Sequence, residues 1–138
     1  MRVLIKERGK TMSNSRDEKR EESAMLQWIN HNDDTLDVCT RYQHDFIFLF
    51  TRLKQCISEY GIAKYRDMSD ADVEKHCEAL TQRNEEARNT PDENGCYHIP
   101  IWDADNEKDM IVMIKALAEL SSEDRNIILT SRTFLDNR

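Results

Sequence analysis

His76, Cys77, Cys96 and His98 are the side chains of this sequence best suited to hold a metal ion or to attack an electrophile. A zinc site needs its ligands to converge tetrahedrally on one point. His76 and Cys77 are neighbours in a predicted helix, where adjacent side chains diverge by about 100° and do not normally meet at one ion. No Cys-x-x-Cys pair occurs. Cys96 and His98 are alternate residues of an extended segment, the placement a nucleophile and its base would take. Such a pair also needs an orienting acid and an oxyanion hole, and no signature in the chain supplies either. The simpler reading makes Cys77 a small core residue and leaves His76 at the edge of its helix. A small enzyme or metal-binding protein built on these four residues therefore ranks third among the functional readings. No catalytic, metal or cofactor-binding residue is assigned.

Asp103-x-Asp105-x-Glu107 matches the first ligands of a calcium-binding EF-hand loop, but the match stops there. The sixth position needs glycine for the turn and is Lys108; the twelfth needs a bidentate glutamate and is Ile114. These acids instead suit the positive end of the helix that follows. Gly9, Gly61 and Gly95 are the only glycines, too far apart for either glycine-rich phosphate loop.

Charge narrows the partners. The chain carries −7, unevenly placed: residues 1–22 hold seven basic and five acidic side chains, and the remainder 13 and 22. A body this acidic is repelled by phosphate backbones and anionic membranes, and suits a basic protein partner. The longest apolar runs, Phe46–Phe50 and Met110–Ile114, are five residues each, far short of a membrane span. Met1–Ile5 is too short an apolar run for a secretory signal, and Met12-Ser13 offers an alternative start. The expected setting is the cytoplasm, with Cys39, Cys56, Cys77 and Cys96 reduced.

The elements that position these residues are helices. Three glycines and two prolines in 138 residues are too few for the turns of an all-β fold. The dominant pattern runs from Thr35 to Tyr60, where Leu36, Cys39, Tyr42, Phe46, Leu49, Phe50, Leu53, Cys56, Ile57 and Tyr60 recur at three- and four-residue steps. Read as one helix closed by Gly61, it would span about 39 Å and separate Cys39 from Cys56 by about 25 Å. A first helix is expected over about 16–30, and another over 70–89 with Ser69 as its cap. An apolar helix follows over about 106–120, then a last one from Glu123 to about Leu135 that packs back on it as a hairpin. Those two helices also match a DNA-binding helix-turn-helix in outline, but Glu123 and Asp124 in the second one's first turn oppose phosphate. Thr90–Gly95 is the clearest loop, and Cys96–Trp102 the one extended segment, with Pro100 limiting it to a sheet edge. The Val3-Leu4-Ile5 run is a candidate short strand.

The predicted fold is thus mainly α. It is a compact bundle of four to five helices organised by one long helix (about 35–60), with at most one short extended segment near 96–102. Residues 1–22 read as a flexible charged segment and 23–138 as one helical domain. Projected around the long helix, Phe48 falls about 150° from the centre of the apolar stripe, beside Arg41, His44, Arg52 and Gln55. An aromatic among arginines is the composition of an interface hot spot. The competing account is that a second helix, such as the one bearing Trp28, covers this face.

No motif carries a resemblance to a named family. The reading that remains is a non-enzymatic protein-interaction module, an adaptor, regulator or inhibitor of a larger assembly. Its proposed interface is Phe48, Arg41, His44, Arg52 and Gln55. The partner is another protein, with a basic one or a second copy of the chain as the candidates. The alternative is a nucleic-acid-associated regulator using the basic N-terminal arm and the C-terminal helices.

Overall fold

A computed structural model describes residues 15–131, with side chains from residue 18 onward. The candidate strand Val3-Leu4-Ile5, the second start at Met12 and the packing residues Phe134 and Leu135 lie outside the described residues. The described part is mainly helical, with seven helices and no strand: α1 Ser15–Ile29, α2 Asp33–Arg41, α3 Phe46–Tyr60, α4 Ile62–Arg66, α5 Asp70–Asn89, α6 Ala104–Glu119 and α7 Ser122–Thr130. Helix α1 crosses position 22 without interruption.

The helix with the most buried residues among those described sits at the centre. Met110, Ile111, Met113, Ile114, Ala116 and Leu117 of α6 are all buried, because α1, α2, α3, α4 and α5 each pack against it. Asp103 caps its start by accepting from the Asn106 N–H, and the Asn106 side chain accepts from Asp103 N–H in return. Trp28 joins α1 to this core. Its indole N–H donates to the Met113 carbonyl at 2.9 Å, and its ring lies 5.9 Å from Phe46 and 5.8 Å from Phe50 between centroids. At the other side, the Lys115 ammonium donates to the carbonyls of Arg66 and Met68, satisfying groups at the end of α4.

The long helix expected over 35–60 is two helices, separated by a turn over Tyr42–Asp45. Tyr42 closes α2 at φ −103°, ψ 26°, and Asp45 opens α3 at φ −143°, ψ 41° without a side-chain cap. No glycine or proline marks the break, and Tyr42 and Phe46 keep the apolar spacing across it, which is why periodicity alone reads straight through. The break lets both pieces meet α6. Tyr42 then sits between them, buried, its hydroxyl accepting from Asn106 at 2.8 Å. Burial pushes that hydroxyl's pKa up to about 12.

Two further expectations change. Cys39 and Cys56 stand on different helices, so the spacing along one helix does not govern them; all four cysteines are free thiols. Helices α6 and α7 do not form the expected hairpin pair, since α7 lies chiefly against α1. There Arg20 pairs with Glu123 at 2.9 Å, and the Ser131 hydroxyl donates to Glu21. The apolar side chain Ile128, wholly buried, is what α7 contributes to the core. Helix α5 forms over the expected residues with Ser69 as its cap. The segment after it, 96–103, pairs with no strand among the described residues.

Leu53 and Ile114 are fully buried in the one core cluster. Truncating either to alanine should cost about 2–5 kcal/mol, against roughly 0.5 kcal/mol or less for the partly exposed Leu26, read from urea denaturation midpoints.

Candidate functional site

The site is built where the segment after α5 returns to start α6. Trp102 precedes the cap Asp103, and Glu107 stands one turn into the helix. These are the two positions that usually hold an apolar staple across a helix start. Here the staple is polar: the Trp102 indole N–H donates to Glu107 Oε1 at 2.6 Å. The other carboxylate oxygen, Oε2, takes the His76 ring from α5, with Nε2 at 2.5 Å. Since the carboxylate accepts, Nε2 is the ring nitrogen that carries the proton. Glu107 is only 5% exposed and occupies both oxygens. Its place in the first turn of α6 also sets it at the positive end of that helix.

Trp102 uses its ring in the other direction. The ring centroid lies 5.2 Å from that of Phe48 on α3, at an interplanar angle of 56°. The Arg52 guanidinium lies 5.8 Å from the Trp102 centroid. From α5, Asn84 donates to the Trp102 carbonyl at 3.0 Å. One residue therefore ties the extended segment to α3 and α6 through its ring and to α5 through its carbonyl. Beside it runs a groove of about 550 Å³ whose apolar lining is Ile47, Phe48, Leu80, Pro100, Ile101 and Trp102.

The segment leading to Trp102 is unusually apolar for its exposure. Ile99 is 78% exposed, Ile101 77% and Tyr97 59%. It leaves a tight turn organised by Asp92, whose Oδ1 accepts from the N–H groups of Asn94 (2.8 Å) and Cys96 (2.9 Å), while Oδ2 takes the His98 ring at 2.8 Å. Gly95 completes the turn at φ +80°, where a side chain would be strained. The Cys96 N–H, then His98 and the Asn94 N–H, hold the Asp92 carboxyl below its ordinary range.

These contacts distribute the residues singled out in the sequence. Phe48, Arg52 and Gln55 fall on one face of α3, and all three line the groove. Phe48 is half-buried, and the cover over it is Trp102 rather than the Trp28 helix; Trp28 lies against Phe46 and Phe50. Arg41 lies on α2 and pairs with Asp109, Nη2 to Oδ1 at 2.6 Å, so the break at 42–45 takes it out of register with Phe48. His44 is exposed in that turn and does not line the groove.

His76, Cys77, Cys96 and His98 do not converge. His76 is bound to Glu107 and His98 to Asp92, Cys77 is buried, and no group of three or more potential metal ligands forms among the described residues. The acids of the calcium-like run take separate roles: Asp103 caps α6 and Glu107 turns inward. No described helix is long and apolar enough to cross a membrane.

Sequence reasoning missed Trp102, Glu107 and the exposed isoleucines as parts of one site. The only local signal was the Trp102–Asp103–Glu107 spacing, a staple pattern with glutamate where an apolar residue is usual.

Replacing Glu107 by leucine should orphan both donors and cost about 2–3 kcal/mol in denaturant unfolding. Trp102→Phe, which keeps the ring on Phe48, should cost less. Equal stability of Glu107→Leu and the parent would show that the carboxylate holds nothing in place. The Asp92 turn should respond to pH. Its carboxyl is depressed on folding, so the contribution is complete above the ordinary carboxylate value of about 4 and is lost as pH falls through the lower folded value. The Asp92 step in the amide chemical shifts of Asn94 and Cys96 should therefore appear only below roughly pH 4. Asp92→Asn should move them at every pH.

Comparison with known proteins yields no match: no protein-family model, curated protein or solved structure corresponds to this chain.

Proposed function

We propose that this chain is a non-enzymatic interaction module that binds another protein through the surface formed by α3 and the 97–102 segment. The observation that carries this reading is the exposure of Ile99 and Ile101, 78% and 77%, beside a groove lined by Phe48, Leu80 and Trp102. Scattered exposed apolar side chains are ordinary, but a contiguous set rimmed by polar groups is a mark of an interaction surface. The rim here is Thr51, Arg52, Gln55 and Asn84. Aromatic residues and arginine are both enriched where interface energy concentrates, and here Phe48 packs on Trp102 within the groove while Arg52 lies near the Trp102 ring at the rim. Of the residues read from the sequence as an interface, Phe48, Arg52 and Gln55 belong to this surface, whereas Arg41 and His44 do not line it.

The test is capture from native cells with the parent chain and with the double variant Ile99→Asp, Ile101→Asp. Both side chains are exposed, so the variant should keep the parent's circular dichroism and unfolding midpoint. Proteins retained by the parent should be lost from the variant. An identical set of captured proteins from two equally folded chains would reject this surface.

A further inference from the structure

The groove beside Phe48 departs from the rest of the molecule in charge. The chain holds 27 acidic against 20 basic side chains, yet no acidic residue lines this groove, and its single charge is Arg52. Arg52 is exposed and forms no ion pair among the described residues. Its guanidinium is held near the Trp102 face, which orients it without satisfying its donors. A second groove of about 530 Å³, between α2, α5 and α6, offers a contrast. Four acidic side chains line it, Asp34, Asp70, Glu74 and Glu119, and its two lysines are engaged within the chain: Lys108 with Glu74, and Lys115 with the carbonyls ending α4.

An unpaired arginine at the edge of an apolar groove is complementary to a carboxylate carried next to an apolar side chain, because the guanidinium fork forms charge-assisted hydrogen bonds with a carboxylate. We propose that the groove takes a short peptide segment of a protein partner in which an acidic residue adjoins a large apolar one. The apolar side chain lies against Phe48 and Leu80, and the carboxylate pairs with Arg52. The proposal rests on the reading of this surface as a protein interface and adds the chemistry of what binds there. It selects an acidic segment from a protein that is itself acidic overall, since the local lining decides the contact.

Three peptides probe it: acetyl-Gly-Ser-Leu-Leu-Asp-Leu-Ser-Gly-amide and its counterparts with Asn or Lys in place of Asp. Each is titrated into the full ¹⁵N-labelled chain while the Trp102 indole N–H and the backbone amides of Phe48 and Arg52 are followed. The Asp peptide should shift these signals with at least about fivefold tighter affinity than the Asn peptide, and the Lys peptide should bind weakest. Arg52→Glu should reverse the order of Asp and Lys, and Arg52→Gln should level it, with amide dispersion confirming that both variants are folded. Three peptides that bind alike, in an order Arg52→Glu does not change, would overturn the carboxylate inference and leave the interface reading standing. No shift with any peptide at about 2 mM, where a Kd of ~1 mM would already register, would overturn the groove as a peptide site. Shifts of the same signals on raising protein concentration alone would assign the groove to a second copy instead. Tighter binding of the Asp peptide by the variant Phe134→Ser, Asp136→Asn would assign it to the chain's own C-terminal segment.

Discussion

Helix α6 cannot face water, and most of the architecture answers that constraint. Its buried residues cover so much of its circumference that a single partner helix would leave apolar surface exposed. Five helices therefore pack on it. The break between α2 and α3 belongs to the same requirement: a straight rod over 35–60 would lie along one side of α6, whereas two shorter helices meet it separately. Trp28 and Lys115 fasten opposite sides of this arrangement, one by an indole donor on the α6 backbone, the other by an ammonium on the carbonyls that end α4.

The start of α6 is where the constraint meets the surface. The polar residues of α6 are concentrated before Met110, so its first turns are what can hold a connecting segment. Glu107 serves there as a buried acceptor for two donors from different parts of the chain, Trp102 and His76. A buried carboxylate is costly to desolvate and is retained where each oxygen is satisfied, which makes the arrangement intolerant of losing one donor. The consequence is geometric. Trp102 is held in one orientation, so its ring covers Phe48 and supports Arg52, and the segment before it is left standing out with Tyr97, Ile99 and Ile101 in solvent. A core requirement thus shapes the surface proposed to bind a partner.

Several elements were legible in the sequence because their determinants are local. Ser69 with a polar first turn starts α5, Asp103 starts α6, and Asn94-Gly95 turns the chain, all where caps and turn residues place them. Phe48, Arg52 and Gln55 could be put on one face because the spacing i, i+4, i+7 holds within a single helix. Arg41 and His44 were grouped with them only by carrying that projection across Tyr42–Asp45, where it does not hold. The short helix α4, the packing of α7 on α1, and the convergence of Trp102, Glu107 and His76 had no comparable signal, since each joins residues distant in sequence.

By itself the sequence determined that the protein is mainly helical, that an apolar stretch near 110–117 forms a helix, and that glycine-rich phosphate loops are absent. These follow from composition, hydrophobic period and residue spacing, which act over a few residues. Only the tertiary structure decided that the 35–60 stretch bends, that Arg41 serves Asp109 while Arg52 has no ion pair among the described residues, and that Trp102 covers Phe48. Those outcomes depend on which helices meet, and packing energies between distant segments outweigh the small local preferences that periodicity records.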